Sequence, residues 1–197
     1  MLLLRALTFT ACLCAVGCSG SETATTSSVA TTTVAGVSAA VPNSLGFNVS
    51  VDGWGFQNYA VSEASQFQIS DAVALFGADA ICVDPDGDCV ATPTAVEWIS
   101  MVAASMTGGI CEGMTVGSID RFLVGESVAT SSVGLTDGLH RHLTRLYATQ
   151  FLGDVIEETS RWRERSVSDI VTELQVALVD RSHEQYTLGL YTKGGGH

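Results

Sequence analysis

The sequence predicts an α+β domain in which helices come first and an antiparallel sheet follows. Apolar residues recur at helical spacing through the middle of the chain, whereas Tyr186 to Thr192 is rich in β-prone residues and precedes a glycine-rich turn. The stretch from residue 41 to residue 197 is also long enough to bury one hydrophobic core.

The first elements of this domain are short. Phe47 to Val51 alternates apolar and polar residues, which predicts a strand. Asp71 to Phe76 predicts a helix, because Ser70 is a suitable N-cap and Gly77 a suitable stop.

Two longer helices surround a pair of glycines. Thr92 can cap a helix that begins at Pro93, and the apolar pattern extends this helix to Met106. The apolar run from Cys111 to Val124 predicts the second helix. The chain is therefore expected to turn sharply at the glycines between them.

Two amphipathic helices are predicted after a loop at Ser127 to Thr136, and the capping pair Ser166 and Asp169 marks the start of the second. Their apolar positions are Leu139, Leu143, Leu146, Tyr147 and Phe151 in the first helix and Val167, Ile170, Val171, Leu174 and Leu178 in the second. Lys193 to Gly196 predicts a turn, so His197 is expected to open the returning strand of a hairpin.

The N-terminus has the features of a secretory signal. Residues 1–17 carry one positive charge, at Arg5, and an apolar run too short to span a membrane as a helix. Residues 15–18, Ala-Val-Gly-Cys, resemble the processing box of bacterial lipoproteins, which implies that Cys18 is lipidated; an ordinary cleaved signal is the alternative. Residues 18–40 would be the lipidated N-terminus and a Ser/Thr-rich linker. The domain would then lie outside the cytoplasm, anchored to a bacterial cell membrane at the cell surface.

The chain is strongly acidic, with 21 Asp and Glu residues against 9 Lys and Arg residues. Because nucleic-acid-binding proteins neutralise phosphates with basic side chains, a nucleic-acid partner is not expected. An acidic surface favours solubility but indicates little about the substrate.

The cysteines are more informative. Of the six, two lie in the signal and a third is the proposed lipid site. Cys82 and Cys89 flank a turn-forming run, which predicts a local disulfide in an oxidising compartment. Cys111 is then left over, either as an inert core residue or as a thiol kept for chemistry.

The setting of Cys111 favours chemistry. Gly108 and Gly109 end the preceding helix, so Cys111 lies in the first turn of the next one, near backbone N–H groups that lack helical partners. This position stabilises a thiolate. The two glycines also allow a substrate backbone to approach the sulfur closely.

These residues resemble a known family. Gly108 to Met114 fits the G-G-x-C-x-G-M turn of papain-like cysteine peptidases of bacterial cell surfaces, and Gly195, Gly196 and His197 are similar to its G-G-H histidine motif. The resemblance implies a papain-like fold over residues 45 to 197, with Cys111 as the nucleophile and His197 as the general base.

The resemblance has further implications for the site. It implies a peptide or protein substrate, no cofactor, and Asn58 as the side-chain donor of an oxyanion hole, with Gln57 as the second choice. A transglutaminase or amidase would use the same Cys and His. Ile110 stands where the family often has histidine, and the family's third, orienting residue would lie beyond His197. The sheet is therefore expected to be incomplete, with a turn but no return strand, and the activity of this chain low.

A non-catalytic lipoprotein that binds a partner through the same fold is the alternative function.

The competing site residues are weaker candidates. His140 and His142 are two positions apart, face different ways on a helix and are expected to be solvated. His183 lies in a charged loop and could replace His197 as base. The acidic run 84–88 begins like a calcium loop but lacks its glycine and its glutamate, so no metal site is expected.

Overall fold

The structure, a computed structural model, describes residues 7–8, 45–179, 185–188, 191–192 and 195–196. The described chain is mostly helical. Its α-helices are α1 (Val49–Asp52), α2 (Ile69–Phe76), α3 (Ala78–Ile81), α4 (Pro93–Ser105), α5 (Cys111–Val124), α6 (Asp137–Ala148), α7 (Gly153–Arg163) and α8 (Val167–Ala177). Short 3₁₀ turns lie at Glu63–Ser65, Met106–Gly108, Thr130–Ser132 and Thr149–Phe151.

The strands are only two residues long each. They are β1 (Leu7–Thr8), β2 (Tyr186–Thr187), β3 (Tyr191–Thr192) and β4 (Gly195–Gly196). β1 runs parallel to β2, and β3 pairs antiparallel with β4. The described residues are therefore mostly helical with two short strand pairs, rather than helices followed by an extended antiparallel sheet.

The hairpin corrects one expectation. The glycine-rich run predicts a turn from Lys193 to Gly196 with no return strand, but Gly195 pairs with Thr192 and Gly196 with Tyr191. The turn is thus shorter than predicted, because glycine backbone groups can complete a ladder without β-prone side chains. His197 lies outside the described residues.

The first predicted strand is also wrong. Residues 47–51 alternate in polarity, yet Val49 begins the helical turn α1. Local hydrogen bonds explain the difference: the Asn48 side chain accepts from the Ser50 N–H at 3.0 Å, and the Asn48 N–H donates to the Asp52 carboxylate at 2.7 Å. An N-cap of this kind offers the backbone a better partner than an isolated strand does.

The longer helices follow their sequence signals. α4 begins at Pro93, where the Thr92 hydroxyl accepts from the Ala95 N–H at 3.3 Å, and α5 begins at Cys111 as predicted. α8 begins directly after Ser166, and the predicted capping pair forms, with the Asp169 N–H donating to the Ser166 hydroxyl. The helix α7, which lies between the two predicted amphipathic helices, has no counterpart in the prediction. It exposes most of its surface and so lacks a clear apolar stripe.

α2 begins two residues before its predicted start. The Asp71 carboxylate accepts from the Gln68 N–H at 3.1 Å, so Asp71 closes the N-terminal turn in place of the predicted Ser70 cap. Gly77 ends the helix as predicted, with a φ of 84° that favours glycine.

The core lies between α2, α3, α4, α5 and α6 and includes buried residues of the segment before α2. Val102, Met106, Ile110 and Leu143 are fully buried there. α5 packs most closely on α6. The helices are so close at Gly113 that a Cβ there would clash with the Leu143 carbonyl oxygen. Small residues at this contact let the two backbones approach one another and fix the position of the turn that precedes α5.

The predicted disulfide is present. Cys82 and Cys89 lie at disulfide distance, with their Cα atoms 5.1 Å apart. The Val83 N–H donates to the Val90 carbonyl at 2.8 Å within the same loop. None of the helices in the described part of the chain has the length and the apolar character that a membrane span needs.

Candidate active site

The turn before α5 is built by a change of backbone direction at Gly109. The 3₁₀ turn Met106–Gly108 follows α4, and Gly109 then has a φ of 118°, which side-chain-bearing residues rarely adopt. Cys111 is the first residue of α5, half-buried, and carries a thiol rather than a disulfide. The motif therefore places a sulfur at a helix N-terminus, where the helix dipole favours a thiolate.

Asn58 lies directly against this turn. Its Oδ1 accepts a hydrogen bond from the Ile110 N–H at 2.8 Å. A Cβ at Gly109 would approach the Asn58 carboxamide too closely, at 2.7 Å from Oδ1 and nearer still to Nδ2. The structure thus brings the predicted Asn58 to the residue before Cys111, whereas Gln57 is exposed to solvent.

Trp54 holds the other side of the same turn. Its indole Nε1–H donates to the Met114 carbonyl at 2.7 Å. Its ring lies 5.5 Å from that of Phe56, which in turn lies 6.3 Å from the ring of Tyr59. The segment 54–59 therefore contacts the first turn of α5 through the Trp54 indole and the Asn58 carboxamide, and a row of aromatic rings lies beside them. Sequence reasoning missed Trp54, although a tryptophan in a glycine-rich segment is a signal for a buried anchor.

Glu112 is the unexpected residue of the site. It follows Cys111 directly, is only 3% exposed, and accepts a hydrogen bond from the Thr187 hydroxyl at 2.8 Å. Burial raises the pKa of the Glu112 carboxyl to about 7, and the hydrogen bond from Thr187 opposes this rise. The sequence does contain a signal for Glu112, namely an acidic residue on the apolar face of a predicted helix, but Glu112 was not among the predicted site residues.

The two histidines on α6 differ in their exposure to solvent. His142 is exposed, as expected. His140 is not solvated: it is half-buried, and its ring nitrogens are 2.8 Å from the Tyr59 hydroxyl and 2.8 Å from the Ser65 carbonyl oxygen. It therefore ties α6 to the segment that leads into α2, a structural role that a one-dimensional pattern does not show.

Asp71 completes this structural network. Its carboxylate is buried and lies 2.6 Å from the Arg141 guanidinium and 3.3 Å from that of Arg145. Arg141 also donates to the carbonyls of Ser65 and Gln66. The network fixes α2 on α6 and has no geometry that points to catalysis.

Three predicted residues lie outside the described part of the chain, namely Cys18, His183 and His197. The pairing of Cys111 with His197, which the resemblance implies, therefore stays a prediction. Within the described ranges, no group of three or more His, Cys, Asp or Glu side chains has the arrangement of a metal site.

Comparisons of this chain with protein-family models, with curated proteins and with solved structures found no match. The chain's own residues and their geometry are therefore the basis for inferring its function.

Proposed function

We propose that this protein is an exported cysteine hydrolase of the papain-like kind, with Cys111 as nucleophile and His197 as general base. The observation that carries the proposal is the position of Cys111: a thiol at the first residue of α5, after a turn that Gly109 and Asn58 shape. Peptide or protein carbonyls are the proposed substrates.

The chemistry follows from this position. His197 takes the proton of the Cys111 thiol, and the thiolate attacks the substrate carbonyl carbon to give a tetrahedral oxyanion. The oxyanion collapses, the C–N bond breaks, and the amine leaves with the proton from His197. Water, deprotonated by the same imidazole, then hydrolyses the thioester to a carboxylate and restores the thiol.

Asn58 is the proposed side-chain donor for the oxyanion, beside the Cys111 backbone N–H. Because its Oδ1 accepts from the Ile110 N–H, its Nδ2 is the end of the carboxamide nearest to Gly109. A donor held by a backbone contact is oriented before the substrate binds, which is the arrangement that stabilises developing charge best.

The thiol itself provides the test. Alkylation of Cys111 by iodoacetamide is measured from pH 4 to pH 10 in the full chain and in His197→Ala, with Cys111→Ser as the blank. We expect an apparent thiol pKa below about 7 in the parent and a rise of at least about one unit in His197→Ala. An ordinary thiol near pKa 8.5 that is indifferent to His197→Ala would contradict the proposal.

The anchor is part of the proposal and is tested separately. Mass spectrometry of the mature N-terminal peptide is expected to find lipid on Cys18. An unmodified N-terminus at another residue would remove the membrane-anchored location.

A lipoprotein that binds a partner without catalysis is the second candidate. It is favoured by Ile110, which is fully buried at a position where the resembling family often has histidine. The alkylation profile separates the two candidates, because a binding module has no use for a thiolate with a lowered pKa.

A further inference from the structure

We propose that the hydrogen bond between Tyr59 and His140 is a positioning contact that holds the Asn58 carboxamide on the turn before Cys111. This inference rests on the proposed function in one respect, since the position of Asn58 matters for catalysis only if Asn58 is the oxyanion donor. Tyr59 and His140 are positioning residues that act through Asn58, and neither makes or breaks a bond.

The first support is the place of Tyr59 in the chain. Tyr59 directly follows Asn58, whose Oδ1 accepts from the Ile110 N–H at 2.8 Å. Two residues after Tyr59, the Val61 N–H donates to the Met106 carbonyl at 3.3 Å, so this segment runs along the turn. A contact that fixes Tyr59 therefore also fixes the backbone from which the Asn58 side chain projects.

The second support is the contact of Tyr59 with α6. The Tyr59 hydroxyl lies 2.8 Å from His140 Nδ1, and His140 Nε2 lies 2.8 Å from the Ser65 carbonyl oxygen. Because a carbonyl oxygen can only accept, Nε2 carries the hydrogen of the neutral imidazole and the Tyr59 hydroxyl donates to Nδ1. The Arg141 guanidinium lies 3.1 Å from Nε2 and donates to the same Ser65 carbonyl. Both ring nitrogens thus have partners, and His140 is a fixed point on α6.

The third support is the burial of the phenol. Tyr59 and His140 are both half-buried, and their ring centroids are 5.8 Å apart. Burial raises the pKa of the Tyr59 hydroxyl, and the charge of Arg141 opposes this rise. The hydroxyl therefore remains a hydrogen-bond donor at every pH below about 10.

The fourth support is the lack of space at the turn. A Cβ at Gly109 would lie 2.7 Å from Asn58 Oδ1 and nearer still to Nδ2, so the carboxamide lies directly against the backbone. A small displacement of Asn58 would change this contact and the hydrogen bond to Ile110. Ring packing of Tyr59 on Phe56, at a centroid distance of 6.3 Å, has no strict geometry, whereas a hydrogen bond is directional.

The test separates the two hydrogen bonds of the imidazole. Tyr59→Phe removes the hydroxyl and keeps the ring. His140→Asn keeps a polar atom near the place of Nδ1, whereas His140→Gln keeps one near the place of Nε2, so only the first can still bond Tyr59. Thr144→Val is the matched control, because Thr144 lies one turn further along α6, is fully buried, and its hydroxyl has no hydrogen-bond partner among the described residues.

The first readout is amide hydrogen exchange, measured by NMR on the full chain. The Ile110 N–H reports its bond to Asn58, and the N–H of Val102, which is fully buried on α4, reports the stability of the core as a whole. Relative to Val102, we expect exchange at Ile110 to accelerate at least about fivefold in Tyr59→Phe and in His140→Gln. His140→Asn and Thr144→Val should change this ratio by less than about twofold.

A purely structural contact would give a different pattern. Loss of such a contact accelerates exchange at Ile110 and at Val102 by the same factor, because both amides then open with the whole core. Equal acceleration at the two amides in Tyr59→Phe would overturn the inference, and so would an unchanged rate at Ile110.

The second readout is the reactivity of Cys111 in the same variants, with Cys111→Ser as the blank. With p-nitrophenyl acetate, the thiolate attacks the carbonyl carbon through a tetrahedral oxyanion, and the C–O bond then breaks to release p-nitrophenolate. With iodoacetamide, the same thiolate displaces iodide and no oxyanion forms. The ratio of the acylation rate to the alkylation rate therefore isolates stabilisation of the oxyanion from the thiol pKa.

We expect this rate ratio to fall at least about tenfold in Asn58→Ala, which removes the proposed donor. In Tyr59→Phe and His140→Gln it should fall about fivefold, because the donor is present but no longer held. His140→Asn should stay within about twofold of the parent, as should Thr144→Val.

The outcomes separate the inference from the proposed function. If Asn58→Ala lowers the rate ratio and Tyr59→Phe changes neither readout, the positioning contact is wrong and the oxyanion assignment stands. If Tyr59→Phe accelerates exchange selectively at Ile110 but Asn58→Ala leaves the rate ratio unchanged, the contact does hold Asn58, and the oxyanion assignment of the proposed function is wrong.

Discussion

Replacing Glu112 by glutamine should flatten the dependence of stability on pH. Burial raises the pKa of the Glu112 carboxyl from an ordinary 4.5 to about 7, so the folded state binds this proton more tightly than the unfolded state does. The contribution of Glu112 to the unfolding free energy is therefore greatest below about pH 4.5. It falls between about pH 4.5 and about pH 7 and stays constant above that.

The difference of about two and a half pKa units corresponds to about 3 kcal/mol of unfolding free energy lost across this interval. Glutamine cannot ionise but has nearly the same shape, and its carbonyl oxygen can still accept from the Thr187 hydroxyl. The amide group adds its own cost of burial, but that cost does not vary with pH. The unfolding free energy of Glu112→Gln relative to that of the parent should therefore rise by about 3 kcal/mol between pH 4.5 and pH 8.

Urea unfolding at several pH values, with the disulfide intact, measures this difference directly. Glu97→Gln is the matched control for the change from carboxyl to amide, because Glu97 is an exposed residue on α4. A difference between parent and Glu112→Gln that stays constant within about 0.5 kcal/mol from pH 4.5 to pH 8 would show that Glu112 does not titrate as its burial requires.

Two further predictions concern the frame of the site. Asp71→Asn should destabilise the fold by about 3 kcal/mol in urea unfolding, because Arg141 and Arg145 would lose their buried counter-ion; a loss below about 1 kcal/mol would mean that water compensates for it. Gly109→Ala should destabilise by at least about 1–3 kcal/mol, because its φ is 118° and its new Cβ would clash with the Asn58 carboxamide, whereas Gly108→Ala meets open space and should leave the melting temperature nearly unchanged. Equal effects of the two glycine substitutions would contradict both causes.

The elements that the sequence predicted well are those whose signals are local. Neighbouring residues determine the start of α4 at Pro93 with its threonine cap, the capping pair at the start of α8 and the start of α5 at Cys111. The disulfide between Cys82 and Cys89 is also local, since the loop between them is short. Each of these interactions can form before the rest of the chain has folded.

The features that the sequence did not predict depend on residues far apart. His140 contacts Tyr59 and Ser65 across more than seventy positions, and Glu112 contacts Thr187 over a similar span. Spacing along one helix carries no information about such partners. The wrong strand prediction at residues 47–51 has another cause. The side chain of Asn48 caps a helical turn there, which the alternation of polarity did not indicate.

The glycine motif itself can be divided into residues that the fold requires and residues that it does not. Gly109 is required by its positive φ and by Asn58, and Gly113 by the close approach of α6. Gly108 is different, because it is exposed, its φ is ordinary and a side chain there would meet no atom within 4 Å. A binding or structural protein would therefore need Gly109 and Gly113 as much as an enzyme does. The described fold therefore places no requirement on Gly108, so a need for glycine at this position would have to come from a molecule that approaches the turn beside Cys111, as the proposed substrate would.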